Sequence, residues 1–376
     1  MPNIRRGMMG AAGVSAEPAT QFPIYGWGQN DNGGLGDGTT VNKSNPVQMG
    51  DKSDWVQWMA AGNGGGGAIN AAGELWTWGL NDKGQLGLGD TTNRSSPTQV
   101  GSLTNWSTVS IVTTHMLAVK TDGTLWAAGN NARGQLGDGS TTDRSSPVQI
   151  GSLTDWSKLK TRLAGDQDGS HAIKSDGTLW SWGYQDNGML GNGVASSASI
   201  SSPIQIGSDT DWEVIRSGGK ASLCIRNGDE YWAFGSQQAL GNNDTANRSS
   251  PVQIAGSWLH VATCQNNSSI GIKTGGTLWT WGNGYWGSLM NGATAATSSP
   301  GQIGSTTDWS KVAGSQGNQY AVKTDGTLWI AGQGYEGKIG DGTTVSKSSP
   351  VQIGSDTDWL DVGQGGTRSA SATKVV

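Results

Sequence analysis

Phenylalanine is nearly missing from this chain: 376 residues contain 2, beside 19 tryptophans. Charge is thin as well, at 14% of residues against a usual figure of roughly 25%. Two cysteines, Cys224 and Cys264, are too few for a disulfide framework or a cysteine metal site. No stretch approaches 18 apolar residues, which excludes a helical membrane span. A net charge of −5 argues against general affinity for DNA or RNA, which needs clustered cations to displace counterions. The opening MPNIRRGMMGAAGVSAEPAT has no run of Leu, Ile or Phe to serve as the apolar core of a signal peptide.

What is abundant is glycine, with 62 residues, about twice its ordinary share. The glycines are periodic. Cores of the form L-W-x-x-G end at Gly79, Gly129, Gly183, Gly235, Gly282 and Gly332, and a degenerate one ends at Gly28. The steps between them are 51, 50, 54, 52, 47 and 50 residues. Each core is followed by a proline, an apolar stretch and a tryptophan, as in SSPVQIGSLTDW (145–156). The prolines are Pro46, Pro97, Pro147, Pro203, Pro251, Pro300 and Pro350; the tryptophans are Trp55, Trp106, Trp156, Trp212, Trp258, Trp309 and Trp359.

One unit reads as four strands: A from the D-W tryptophan (309–314), B (320–323), C (327–332) and D (350–354). The B–C turns carry Asp122-Gly123, Asp176-Gly177, Asn227-Gly228, Gly275-Gly276 and Asp325-Gly326. These suit a two-residue hairpin with both central residues at positive φ. Seven four-stranded units at this period predict an all-β, seven-bladed propeller over residues 21–376. Packing between blades accounts for 17 of the 19 tryptophans and leaves Trp58 and Trp286. The last unit stops after strand B, SATKVV. Its strands C and D are expected at the other end of the chain, in PIYGWG (23–28) and NPVQMG (45–50), so that two strands from each terminus close the ring.

Units such as HAIKSDGTLWSWG (171–183) and NARGQLGDGSTTDRSSPVQIGSLTDW (131–156) resemble repeats of the regulator of chromosome condensation family, and the resemblance runs over about residues 21–376. It implies a seven-bladed propeller and no single function. Members include a chromatin-bound exchange factor for a small GTPase, a plant ultraviolet-B receptor and a bacterial inhibitor of β-lactamase, with many bacterial and phage proteins. The terse SSPVQIGS-TDW style is most similar to the bacterial and phage branch. The light-sensing members share a G-W-R-H-T motif that this chain lacks.

Catalytic constellations are weak. Three G-x-G-x-x-G matches (62–67, 282–287, 332–337) lead into strands, not the helix that a dinucleotide site requires. His115, His171 and His260 recur in no other unit, and His171 reads as a partly buried strand residue. Cys224 replaces a small strand-B residue and reads as an inert packed thiol. Asp54, Asp155, Asp211, Asp308 and Asp358, before the D-W tryptophans, read as turn-stabilising Asx residues. Asp37, Asp138 and Asp341 match no recognised calcium loop. No enzyme activity and no cofactor or metal is expected.

Two recurring features point to binding. Lys43, Arg94, Arg144, Arg248 and Lys347 each lie three residues before a strand-D proline. They form a basic rim, either locally paired or a shallow anionic docking ring. Tyr184, Tyr285, Trp286 and Tyr335 are aromatics in C–D loops that are otherwise polar, suited to a protein or sugar surface. A–B and C–D loops share one face of a meander, and B–C turns and D–A links the other. Residues 1–20, with Arg5, Arg6, Met8 and Met9, read as a flexible arm that orders in a partner's groove. The expectation is a non-enzymatic structural or binding module on a phage virion surface. The arm would be anchored to capsid or tail proteins, and the C–D face turned to a host protein, a glycan or another subunit, with no nucleic acid and no membrane insertion. The alternatives are an exchange-factor-like regulator of a small GTPase, or a secreted or cytoplasmic bacterial adhesin or inhibitor.

Overall fold

The computed structural model describes residues 20–60, 64–111, 114–157, 164–165, 169–363 and 369–375. The arm residues Arg5, Arg6, Met8 and Met9 lie outside them. All regular structure among the described residues is β, apart from short 3-10 turns, and no helix is long and apolar enough to cross a membrane.

The chain forms seven four-stranded antiparallel blades. Blade 1 runs from strand A at Trp55–Ala60 to strand D at Arg94–Gln99, and blade 2 from Trp106–Ile111 to Arg144–Gln149. Blade 3 ends at Ser199–Gln205. Blades 4 and 5 share one strand, Arg248–Thr263, which serves as D of the first and A of the second. The link there, from Ile254 to Trp258, is two residues shorter than that from Val100 to Trp106, so the ladder runs straight through; this is the repeat with the shortest step, 47. Blade 6 spans Trp309–Ser315 to Lys347–Gln352.

Blade 7 is the expected clasp. Its order is Lys43–Gln48, Ile24–Gly28, Ser369–Lys374, Trp359–Val362. The two chain ends pair from Ile24↔Thr373 to Gly28↔Ser369.

Strands A line the axis. Gln57 of blade 1 exchanges two hydrogen bonds of 3.0 Å with the Val109 backbone of blade 2. Farther round, Arg216, His260, Lys311 and Asp361 of four successive A strands border an axial cavity of about 110 Å³. Strands D are half exposed and form the outer wall.

The core lies between blades. One cluster joins Leu117 and Val119 of blade 2 to Trp156, Ala172 and Trp182 of blade 3, and the others repeat this pattern. Trp27, Trp78, Trp182 and Trp281 each donate an indole N–H to a backbone carbonyl of the preceding blade, at 2.8–3.1 Å. Trp58 is buried too, with Trp55 and Trp78, so Trp286 is the one tryptophan left exposed.

The B–C turns differ from expectation. Only Asn227 (φ 50°) and Gly228 (φ 85°) are both left-handed. In blade 2 the loop is Thr121-Asp122-Gly123, with Gly123 alone at positive φ (80°). This is the three-residue hairpin in which one left-handed residue follows a tight turn. Gly123 is needed twice over, because a Cβ there would lie 2.0 Å from the Thr154 carbonyl of the D–A link.

Candidate functional site

The A–B and C–D face carries one exposed aromatic ridge. In blade 5 strand C ends at Gly282, and Tyr285–Gly287 then form a 3-10 turn. The Tyr285 N–H donates to Asn283 Oδ1 at 3.0 Å, and beyond the turn Leu289 is completely buried, its carbonyl accepting from Thr280 Oγ1 at 2.6 Å. Tyr285 is 62% exposed and Trp286 44%. Their rings meet edge to face at 6.1 Å. Trp286 has φ 59°, ψ 14°. A bulky residue in the left-handed region is a steric outlier, costing about 1–3 kcal/mol, of a kind concentrated at binding sites. The indole leans toward blade 6, where it adjoins Gly317 of the A–B turn and the Gln333 side chain. That contact shows A–B and C–D loops on one face, as the meander requires.

Blade 6 repeats the turn with Tyr335, 63% exposed, and Glu336 at φ 59°. Tyr335 therefore holds on blade 6 the place that Tyr285 holds on blade 5. Tyr184 does not join them. It follows Gly183 directly, two residues earlier in its loop than the other tyrosines, and lies half-buried beneath the Arg133 guanidinium at 4.5 Å.

All five rim cations are paired with aspartates of their own C–D loops. The contacts are Lys43–Asp37 at 3.1 Å, Arg94–Asp90 at 2.6 Å, Arg144–Asp138 at 2.9 Å, Lys347–Asp341 at 3.2 Å, and Arg248–Asp244. Burial opposes ionisation of Asp37, Asp138 and Asp341. Hydrogen bonds from Thr39, Ser140 and Thr343, with the cations, outweigh it and hold these carboxyls below their ordinary range. The rim is thus the locally paired arrangement, a brace across each loop.

The opposite face corrects the reading of the D-W aspartates. Asp155, Asp211, Asp308 and Asp358 pair with the last cation of strand B, Lys174, Arg226, Lys323 and Lys374, at 2.9–3.3 Å. Those cations, with Lys120 and Lys273, lie over the tryptophan that starts strand A and the aromatic second residue of strand C, which is Tyr25 for Lys374 and tryptophan for the others. Lys120, for example, is 5.0 Å from Trp106 and 3.7 Å from Trp126. Burial lowers the Lys120 pKa; Lys374 is lowered by burial but raised further by Asp356 and Asp358, so that its pKa is up. Sequence reasoning missed this motif, although its signal is the recurring strand-B ending in AVK, AIK, CIR, GIK and ATK.

Cys224 is fully buried and burial pushes its thiol far up, while Cys264 is pushed up to about 12. Neither is poised as a thiolate nucleophile. The ridge offers aromatic faces, two phenol hydroxyls and neighbouring carboxamides, which is chemistry for binding.

Residues 24–69, 72–119, 122–161 and 176–225 match the model of the Regulator of chromosome condensation (RCC1) repeat. Residues 24–225 of this propeller carry RCC1 repeats. Among relatives, the Ultraviolet-B receptor UVR8 of Arabidopsis thaliana is 27% identical over 57% of this chain and 50% of its own length. The human E3 ubiquitin-protein ligase HERC2 is 26% identical over 79% of this chain and 5% of its own. The chain thus spans half or less of these relatives. Among structures, human WBSCR16 has a TM-score of 0.80 at 19% identity, covering 94% of this chain and 98% of that one. Yeast RCC1 (Prp20), solved bound to Kap60, has a TM-score of 0.80 at 17% identity, covering 100% and 96%. At such identities these structures share the fold. The relatives named here are eukaryotic.

Proposed function

We propose that this RCC1-repeat propeller is a binding module without chemistry of its own, and that its working surface for a protein partner is the Tyr285–Trp286–Tyr335 ridge. The observation that carries this is Trp286: an indole held in a strained backbone conformation and left 44% exposed. Exposed aromatics of this kind serve as anchors at protein interfaces. The yeast RCC1 protein, of the same fold, is solved in complex with Kap60.

The setting we propose is a virion surface, with residues 1–20 as the tether to capsid or tail. Its support is the small, mildly basic composition of that arm and the terse, uniform repeats.

A photo-crosslinking phenylalanine analogue at position 285 or 335 tests the ridge in extracts of the source organism. A discrete crosslinked protein is expected from both positions and not from Val194, an exposed apolar residue on blade 3. Trp286→Gly should abolish the crosslink without loss of thermal stability, since glycine accepts the left-handed backbone freely. The same crosslink from Val194, or one that survives Trp286→Gly, would overturn the proposal.

A further inference from the structure

The junction of blades 5 and 6 also holds a groove on the outer wall, of about 510 Å³. Its counterpart between blades 7 and 1 has the same parts but about 340 Å³. In each, a strand-C tryptophan (Trp329 or Trp76) and a strand-D proline (Pro350 or Pro97) face a loop of the preceding blade. The loop contributes Met290 and Asn291 to one groove and Gly36 and Asp37 to the other, and the D–A link differs as well. Two positions after the link glycine stands Lys52 in one junction, with its ammonium 4.7 Å over the Trp76 ring. Other links place Leu103, Leu153, Asp209 and Asp356 there. Between blades 5 and 6 the residue is Thr306, too short to reach over Trp329 from the link, and Lys323 of strand B stands over that ring at 5.2 Å.

The part of the indole left open on the link side has a consistent surround. No carboxylate lines the groove, and the one cation, Lys323, is met by Asp308 at 3.2 Å. Asn291 accepts from the Ala293 N–H at 3.0 Å, which leaves its amide N–H₂ as a donor. Gln302 donates to the Gly304 carbonyl at 3.0 Å, which leaves its amide oxygen as an acceptor. Thr306 and Ser349 add hydroxyls. An apolar face with a sparse, uncharged ring of donors and acceptors suits a ligand with one C–H face and hydroxyls at its edge.

We propose that this groove binds carbohydrate: a neutral pyranose with its C–H face on Trp329 and its hydroxyls on Asn291, Gln302 and Thr306. The site stands apart from the protein-binding reading of the ridge. Saturation-transfer NMR with the methyl glycosides of glucose, galactose, mannose and N-acetylglucosamine tests it on the full chain. At least one should receive saturation at its ring C–H protons. Thr306→Leu installs the side chain found in two other links, so the fold is kept and the indole covered. It should weaken that glycoside about tenfold, equivalent to roughly 1.4 kcal/mol, while Trp286→Gly leaves it unchanged. Transfer to none of the four, transfer indifferent to Thr306→Leu, or transfer lost in Trp286→Gly would each overturn the proposal.

Discussion

At the scale of single residues, the seven repeats act as internal controls for one another. The clearest case is Met290. Its position in the C–D loop is glycine at Gly36, Gly87, Gly137, Gly191, Gly241 and Gly340, all at positive φ, and Met290 keeps the left-handed φ of 59°. In five of those six junctions a Cβ on the glycine would strike an aromatic ring at the end of the next blade's strand C, such as Trp78 or Trp182. In the sixth, strand C has Ala128, and the space is taken by Met116 of strand B. Blade 6 has Ala331 there, and Met290 reaches across from blade 5 to fill the void. Met290→Gly relieves strain of about 1–2 kcal/mol but opens a cavity worth about 2–5 kcal/mol, so a net loss of about 2 kcal/mol is expected. Ala331→Trp alone collides with Met290. The double variant rebuilds the Gly36–Trp78 arrangement and should be more stable than either single one by urea denaturation. Additive losses would show that the two sites do not share a void. The rim carries a similar signal. The two blades without a rim cation, with Ile200 and Thr297 in its place, also lack the loop aspartate: they have Asn192 and Asn291 where three blades have Asp37, Asp138 and Asp341, and Val194 and Ala293 where two have Asp90 and Asp244. Acid and base come and go together, so the pairing is legible in the sequence once the units are aligned by column.

At the scale of the strand, most of the fold is legible from a period of about fifty with Gly, Pro and Trp at fixed places, because each marks a backbone or packing requirement that recurs in every blade. Less legible is whatever depends on the neighbouring blade. Strand D begins at the rim cation, three residues before the proline, because Gly28, Gly79, Gly129, Gly235 and Gly332 pair with those cations across a bulge. The left-handed backbone of Trp286 has no marker in sequence; only its departure from the tryptophan accounting singles it out. Histidine is another case. His115 and His171 are completely buried, deeper than strand alternation alone implies. Each bonds across to the next blade, His115 to Ser170 at 2.8 Å and His171 to Ser217 at 3.3 Å. Burial lowers their pKa values from 6.5 to about 3 and about 4. The folded state keeps both imidazoles neutral while the unfolded chain protonates first. Stability is therefore full above pH 7, falls as the pH drops through 6.5, and continues to fall toward those folded-state values. Between pH 5.5 and 4.5 each should contribute a slope of about 1.4 kcal/mol per pH unit. The aspartates, held below 3.8, act only at lower pH. Denaturant titrations across this window should show a slope that His115→Gln/His171→Gln flattens; an unchanged slope would locate the acid sensitivity elsewhere.

At the scale of the molecule, one blade depends on both ends of the chain. Among the described residues, strand Ser369–Lys374 alone joins Trp359–Val362 to Ile24–Gly28, so it holds the ring closed. It also seats an interblade contact, since Trp27 of the adjoining strand packs against Tyr320 of blade 6 at 6.3 Å and Trp359 at 6.4 Å. Ending the chain at Gly363 removes that strand, leaves Ile24–Gly28 with one partner, and creates two facing open edges. Such edges template pairing with other chains. Each blade buries its core only against its neighbours, so opening the ring exposes the cores at the break and weakens coupling among the rest. The shortened chain should lose two-state behaviour, with a calorimetric enthalpy exceeding the van't Hoff enthalpy, and should self-associate. Removing residues 2–20 provides the contrast. Among the described residues the first strand of the ring begins at Ile24, beyond that segment, so that variant should melt as the full chain does. If the chain ending at Gly363 also melts in one transition at the full-length temperature, the clasp is not what makes the propeller cooperative.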